Sequence, residues 1–564
     1  MMNILFLPDG KMALNPSTQS HSTVEVIDGT ISEYYNIMDQ CIRRSEVMPG
    51  QYKTLTSPSY SNNCPINESS FTTVDIGCPA PQVIDIDNSF ITAKIKVPIT
   101  FPAGFKVHNK ASTFFVGWRS SLDVLQRYVI YCNHKTVYDQ VYVGEESFIL
   151  QSLIPEHVRC RKPYQYTTYE NASTFSPNVC GTYITLTSPN GNGVNTPADL
   201  GSCTITVEIP IKLDINQFVL FQNFKYLPAF CGTWSIKIYP STQNMIICPV
   251  DPTVMMTPAQ LNDFAGRDLT DYTHNFVQCG DKIKCLTGMD NSTKTVQFSD
   301  VVVQFGKAIA DEVLLHQTQF ELMYDIYDGL KARYMQKPLT IPVNKLDYGR
   351  FSGAMTNSGI SSTYSAAIQN CESLIILPFP DDLHHTVCFN PEFSEFYMNI
   401  SGYGNFPQQP FNTFGRDEKH TRFVNMTLDA LNLNNSPICV ANKDLMNSLE
   451  CDEVVSYGIT KPTYDGKLTS TVETSTKNYD KSNFMIGIPF STDIDFQGGL
   501  TSNGNINIKL SATSSKISDI AQQLNGGTSN LGATVMFVKD AALLIKVVPY
   551  ATEPECRLIE ERIV

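Results

Sequence analysis

No stretch of this sequence approaches the roughly 18–20 uninterrupted apolar residues that a membrane-spanning helix needs. The best run, AALLIKVVPY, is cut by Lys546. The opening MMNILFLPDG has four apolar residues, Ile4 to Leu7, ahead of Pro8 and Asp9, and no basic leader. No secretion signal is therefore expected, and the protein is expected to be made inside a cell. Charge is sparse, 17% of residues against about 25% in ordinary soluble domains. A weakly charged surface resists association poorly, which suits a chain that associates with itself. Lys and Arg number 41 against 55 Asp and Glu, a net charge of −14, and the cations form no block. That balance argues against a surface that tracks phosphates, so no direct sequence-specific binding of nucleic acid is expected. The 16 cysteines are irregularly spaced without a CxxC, the nearest pair being Cys279 and Cys285. They are expected to be mostly buried free thiols rather than a disulfide framework. Several glycosylation-type sequons, among them those at Asn67, Asn171, Asn291, Asn399 and Asn425, then reflect an Asn/Ser/Thr-rich composition.

What the chain does have is alternation. With 564 residues, 42% hydrophobic and 59 of them aromatic, it is globular and too long for one ordinary domain. In FITAKIKVPITF the row Ile91, Ala93, Ile95, Val97, Ile99 and Phe101 faces one way, and Thr92, Lys94, Lys96, Pro98 and Thr100 the other. TITVEIPIKLD repeats the device with Ile205, Val207, Ile209, Ile211 and Leu213. Such a period of two describes strands with one side on a core, and a proline in each outer row suggests an edge or a bulge. Further strands are expected at VLQRYVIY, GTYITLT, GTWSIKIYP, TVQFSDVVVQF, SLIILPF, NFMIGIPF, GNINIKLSA, ATVMFV and ALLIKVV, between turn clusters. Helical pattern is confined to SKISDIAQQLNGG, with weaker candidates over 144–154 and 442–450. Long loops are expected over 161–202 and 402–422. The fold class is all-β, built of sandwiches.

The sequence also echoes itself. IPIKLDINQFVLFQNFKYLPAFCGTWSIKIYPS from Ile209 is answered by IPFSTDIDFQGGLTSNGNINIKLSA from Ile488. Ile209, Pro210, Leu227, Gly232 and Lys237 match Ile488, Pro489, Leu500, Gly504 and Lys509 at an offset of about half the chain. The expected organisation is an N-terminal arm at 1–19, a first sandwich at 20–250, a linker at 251–258, a second sandwich at 259–550 and a C-terminal tail at 551–564.

In these two segments, and in its length, the chain resembles the double jelly-roll major capsid proteins of polintons, virophages and related DNA viruses. The resemblance implies two tandem eight-stranded jelly rolls with long loops and a few short helices. It also implies a homotrimeric, pseudo-hexagonal capsomer that tiles an icosahedral shell, and outward towers for which 161–202 and 402–422 are candidates. The implied partners are further copies of the chain, penton proteins and minor capsid proteins, and the implied location is the virion, assembled inside the host cell. The family offers no catalytic, cofactor or metal residue to carry over.

The residues permit other chemistry to be weighed. No G-x-S-x-G elbow, phosphate-binding Gly-rich loop or H-E-x-x-H helix occurs. His384, His385 and Cys388, after Asp381 and Asp382, are the densest group of metal-ligand types, but adjacent strand residues point apart, so a polar loop is expected. Asp85 with Asp87, and Asp493 with Asp495, have the spacing of an acid/base or calcium pair, and are expected instead to solvate strand ends. Trp118 and Trp234 could line a sugar platform, and Trp234, beside the strand SIKIY, is expected in core or inter-sandwich packing. A carbohydrate-binding tandem sandwich, lectin or fibre-like, and a two-jelly-roll glycosidase or amidase remain the alternatives to a shell protein.

Overall fold

The structure is a computed structural model. It describes residues 34–38, 53–57, 64–66, 71–101, 106–107, 111–118, 121–141, 180–187, 198–199, 203–240, 245–248, 277–279, 283–285, 302–303, 308–350, 360–368, 371–380, 393–401, 404–413, 418–431, 459–462, 468–471, 485–490, 500, 505–513, 531–548 and 554–559.

Sixteen strands set the architecture. Eight belong to the first half: β1 (Lys53–Ser57), β2 (Thr72–Ile76), β3 (Gln82–Phe101), β4 (Leu125–Cys132), β5 (Lys135–Val141), β6 (Cys203–Asp214), β7 (Trp234–Pro240) and β8 (Ile309–Glu321). Helix α1 (Tyr324–Gln336) follows. The second half has β9 (Leu339–Arg350), β10 (Ile360–Ala367), β11 (Cys371–Pro380), β12 (Glu395–Ile400) and β13 (Gly404–Phe411), then α2 (Glu418–Ala430), then β14 (Ile486–Pro489), β15 (Asn505–Thr513) and β16 (Leu531–Lys546).

Their order decides the fold. The first half forms two sheets, β1-β8-β3-β6 and β2-β7-β4-β5, and the second forms β9-β16-β11-β14 and β10-β15-β12-β13. All neighbours on these paths run antiparallel. Adding eight to every label of the first half yields the second. Two four-stranded antiparallel sheets in this interleaved order are the double Greek key of a jelly roll. The chain is a double jelly roll.

The echo in the sequence maps onto equivalent places. Ile209 and Pro210 lie in β6, Ile488 and Pro489 in β14; Lys237 lies in β7, Lys509 in β15. Leu227 pairs with Ile84 near the start of β3, and Leu500 bridges Cys371 at the start of β11.

The alternating rows place the core as expected. Ile91, Ala93, Ile95, Val97, Ile99, Val207, Ile209, Ile211 and Leu213 are buried, while Ile205 is only partly covered. On the opposite face Lys94 reaches Glu312 at 2.8 Å, and Lys96 reaches Asp311 at 2.8 Å and Glu208 at 3.5 Å. Pro210 sits on the edge strand β6. Pro98 lies on the central strand β3, but beyond Lys96, where pairing with β8 ends and before Ile99, where the short strand Val302–Val303 takes over. On its other side it stays in register with Thr206 of β6.

Four expectations need correcting. Because β8 pairs with both β3 and β1, the first jelly roll runs through Glu321, so 20–250 is too short and 259–550 begins too early. Residues 251–258 lie outside the described residues, and α1 stands between the two rolls. The tail at 551–564 contains β17 (Glu555–Ile559), which extends the second roll by pairing with β16. The range 402–422 is no continuous loop, since it contains β13 and the start of α2. ATVMFV and ALLIKVV fall in one strand, β16, with Val547 just beyond it. The helix expected at SKISDIAQQLNGG, and those over 144–154 and 442–450, lie outside the described residues.

Helices α1 and α2 are packing devices. In α1 the stripe Tyr327, Leu330 and Tyr334 is buried, with Asp325 in the first turn and Arg333 in the last, where the helix dipole favours them. Pro338 prevents continuation. Tyr334 and Tyr327 pack against Phe230 of the first roll, and Tyr334 meets Tyr34 edge-on. The junction is completed by polar bonds to β9: Tyr138 Oη donates to Asn344 O and Asn223 Nδ2 to Pro342 O, both at 3.1 Å. Helix α2 lays Phe423, Val424, Thr427 and Leu428 over the second roll. Gly487 of β14 lets it approach, for a Cβ there would stand 2.7 Å from Ala430 Cβ and 3.0 Å from Thr427 Cα.

Two substitutions test these helices. Gly329 lies inside α1 with nothing within 4 Å of its absent Cβ, so Gly329→Ala should raise stability by about 0.5–1 kcal/mol in urea denaturation. Gly487→Ala should lower it by about 1–3 kcal/mol, because backbone as well as side chain must move.

Candidate assembly surfaces

Those residues singled out for chemistry that the structure describes serve the fold. Trp118 and Trp234 are both fully buried. Trp234 Nε1 donates to Cys231 O at 3.2 Å, and its ring sits 5.7 Å from Phe221 and 6.3 Å from Phe224. Neither tryptophan offers a face to a sugar.

Asp85 and Asp87 close a bulge. Strand β8 pairs His316 with Phe90 and Thr318 with Asp85, so β3 carries extra residues between these points. Asp85 accepts from Asn88 Nδ2 at 2.7 Å and from Asn88 N at 3.3 Å. Ser89 Oγ donates back to Asp85 O at 2.6 Å and accepts from Thr318 N at 3.1 Å. Asp87 accepts from Asn216 Nδ2 at 3.2 Å. The pair thus satisfies the backbone of a distorted strand, as Asx side chains do in turns. Cys132, Cys231 and Cys371 are buried, and Cys78 and Cys556 are partly exposed. The groups at Asp381–Cys388 and Asp493–Asp495, and the side chains of Cys279 and Cys285, lie outside the described residues. Among the described residues no three His, Cys, Asp or Glu side chains gather in a way that could hold a metal.

Two surfaces remain that could do something. The first is the outward face of β2-β7-β4-β5, where aromatic rings and cations interleave. Lys237 Nζ lies 4.3 Å from the ring centre of the exposed Phe71 and 5.4 Å from that of Tyr131. Arg127 sits 5.4 Å over Tyr239 and forks onto Asp139 through Nε at 2.8 Å and Nη2 at 2.5 Å. Exposed Val141 ends the edge strand β5 of the same sheet. Rings and guanidinium held in place before contact lose little side-chain entropy when covered, which suits a protein-protein wall. Spacing alone exposed the alternating face, but not which rings lie opposite which cations, because that depends on the cross-strand register.

The second surface is an added five-stranded sheet of Ile283–Cys285, Val277–Cys279, Met245–Cys248, Ala111–Trp118 and Cys180–Thr187, in that order. Its strands come from the β3–β4, β5–β6 and β7–β8 connections. Three separate connections can share one sheet only if they leave the sandwich at the same end. Cys180–Thr187 falls in the range 161–202, where a long loop was expected.

No protein-family model matches the sequence, and no curated protein does. Among solved structures, the chain is similar to one from the Sputnik virophage particle, at 12% identity and a TM-score of 0.47, covering 91% of this chain and 90% of that one. It is similar to the mavirus major capsid protein at 11% identity and a TM-score of 0.43, covering 92% of each. A third likeness is to the faustovirus major capsid protein, at 9% identity and a TM-score of 0.37, covering 93% of this chain and 99% of that one. The double jelly roll itself rests on the strand order above.

If Asp85 serves the bulge, Asp85→Ala should cost about 1–3 kcal/mol by leaving the Asn88 N–H without its acceptor. Calcium should leave the thermal midpoint of the unmodified protein unchanged in a scanning fluorimetry titration.

Proposed function

We propose that this chain is the major capsid protein of an icosahedral DNA virus or virus-like element, and that it works as a homotrimeric capsomer. The observation that carries this is the repetition of one jelly-roll strand order twice in a single chain. Three copies of two similar sandwiches present six similar walls, which lets a threefold object occupy a sixfold lattice position. The interleaved face of β2-β7-β4-β5 supplies a wall suited to a neighbouring subunit. The added sheet, gathered at one end of the first roll, supplies the outward tower. In this assembly the chain is a structural protein of the virion rather than an enzyme, and its partners are further capsomers, penton proteins and minor capsid proteins.

Light scattering on the eluting protein should give a trimer of three 62.9 kDa chains, about 189 kDa. Subunit contacts should exceed the ~2,000 Å² where obligate interfaces begin. Phe71→Glu should weaken the trimer without unfolding the chain, since Phe71 is already exposed. With −14 per chain, contacts between capsomers should strengthen as salt screens their repulsion. A chain that stays monomeric at micromolar concentration across salt would overturn this function.

A further inference from the structure

We propose that Cys132 and Cys556 are a redox pair whose disulfide staples the C-terminal strand of the second jelly roll to the first. Cys132 is the last residue of β4, and Cys556 lies in β17. Their Sγ atoms stand 2.7 Å apart, closer than two unbonded sulfurs rest and a small movement from bond formation. Both backbones are pinned. Cys132 is held in register with Trp234 of β7 and Lys135 of β5, and Cys556 with Ile545 of β16.

The turn beside the pair is shaped to receive β17. Asn133 Nδ2 donates to Pro554 O at 3.1 Å while its Oδ1 accepts from Thr233 N at 3.0 Å. Asn133 and His134 both have positive φ, as a two-residue hairpin requires. Gly232, at φ +87°, leaves room where a Cβ would stand 2.9 Å from Pro554 Cγ. The sulfurs therefore meet through a built contact between the rolls.

The neighbouring thiols do not compete. Burial pushes the Cys231 thiol well above its ordinary range and that of Cys78 up to about 12, so both stay protonated at neutral pH. Cys556 is partly exposed and Cys132 is buried, which orders the steps. With glutathione disulfide as oxidant, the Cys556 thiolate attacks one glutathione sulfur, breaks the S–S bond and releases one glutathione. Cys132 then gives up its proton, attacks Cys556 Sγ and releases the second glutathione. Two protein thiols are oxidised, one glutathione disulfide is reduced, and the two protons end on the two glutathione thiols. The bond links residues 424 apart and so constrains both rolls in the unfolded chain. In a reducing cytosol the pair stays open, and in an oxidising exterior it closes. The chemistry of the pair holds whether or not the chain forms a capsomer.

The full-length protein, reduced and freed of reductant, is incubated with glutathione disulfide and without denaturant, then alkylated and digested for mass spectrometry. A Cys132–Cys556 cross-linked peptide is expected, together with a rise of a few degrees in Tm that dithiothreitol reverses. Cys556→Ser should abolish both, and Cys231→Ser should abolish neither. Recovery of Cys132 and Cys556 both alkylated, a glutathione adduct persisting on Cys556, or the same Tm rise in Cys556→Ser would overturn the proposal. Because Cys556 is partly exposed, its serine variant keeps the test decisive even if Cys132→Ser folds poorly.

Discussion

A half-buried sheet has one apolar face that water must not reach, and this single requirement organises the whole chain. The rows through Ile95 and Val97 on β3 and through Val207 and Ile209 on β6 demand a second sheet as cover. The jelly roll supplies it by sending most successive strands to the opposite sheet, so neither sheet is ever complete without its partner. Two closed sandwiches still leave a seam between them. There Tyr334, Phe230, Tyr327 and Tyr34 fill the space, and Tyr138 and Asn223 satisfy backbone carbonyls of β9. The seam is aromatic and hydrogen-bonded at once, which fixes the angle between the rolls better than aliphatic packing alone would.

Period two made the strands legible, and the half-chain offset made the duplication legible. Ile209–Pro210 and Ile488–Pro489 do occupy equivalent strands. The boundary was misplaced because β8 carries IADEVLLHQTQFE, whose Asp311, Glu312 and Gln317 blur the alternation, and a bulge shifts its register between Asp311 and Leu314. Only pairing with β3, more than 200 residues earlier, reveals where the strand belongs. Helix α1 was missed for a chemical reason. Its buried stripe is mostly tyrosine, and Gly329 lies in its middle, so it reads as polar and broken until Phe230 and Tyr34 are seen to cover it.

The candidate chemistry was legible in kind more than in geometry. Aspartates beside an Asn suggested a strand end, whereas Asp85 and Asn88 close a bulge inside the longest strand. Trp234 beside a strand suggested packing, and both it and Trp118 are buried in the core. The cation-ring wall of Lys237, Phe71, Tyr131 and Arg127 had no sequence signal, since its members come from two strands, β4 and β7, and the residue before a third, β2. Likewise nothing in the spacing of Cys132 and Cys556 hints that they touch.

The added five-stranded sheet has its own ladder. Its named strands hydrogen-bond to one another and, among the described residues, to none of the strands of either jelly roll. Val116 and Trp118 of its Ala111–Trp118 strand are nonetheless buried in the hydrophobic core, so the sheet is anchored by side chains rather than by a shared ladder. Variation concentrated in those three connections would reshape one end of the first roll while leaving the strand order of both sandwiches intact.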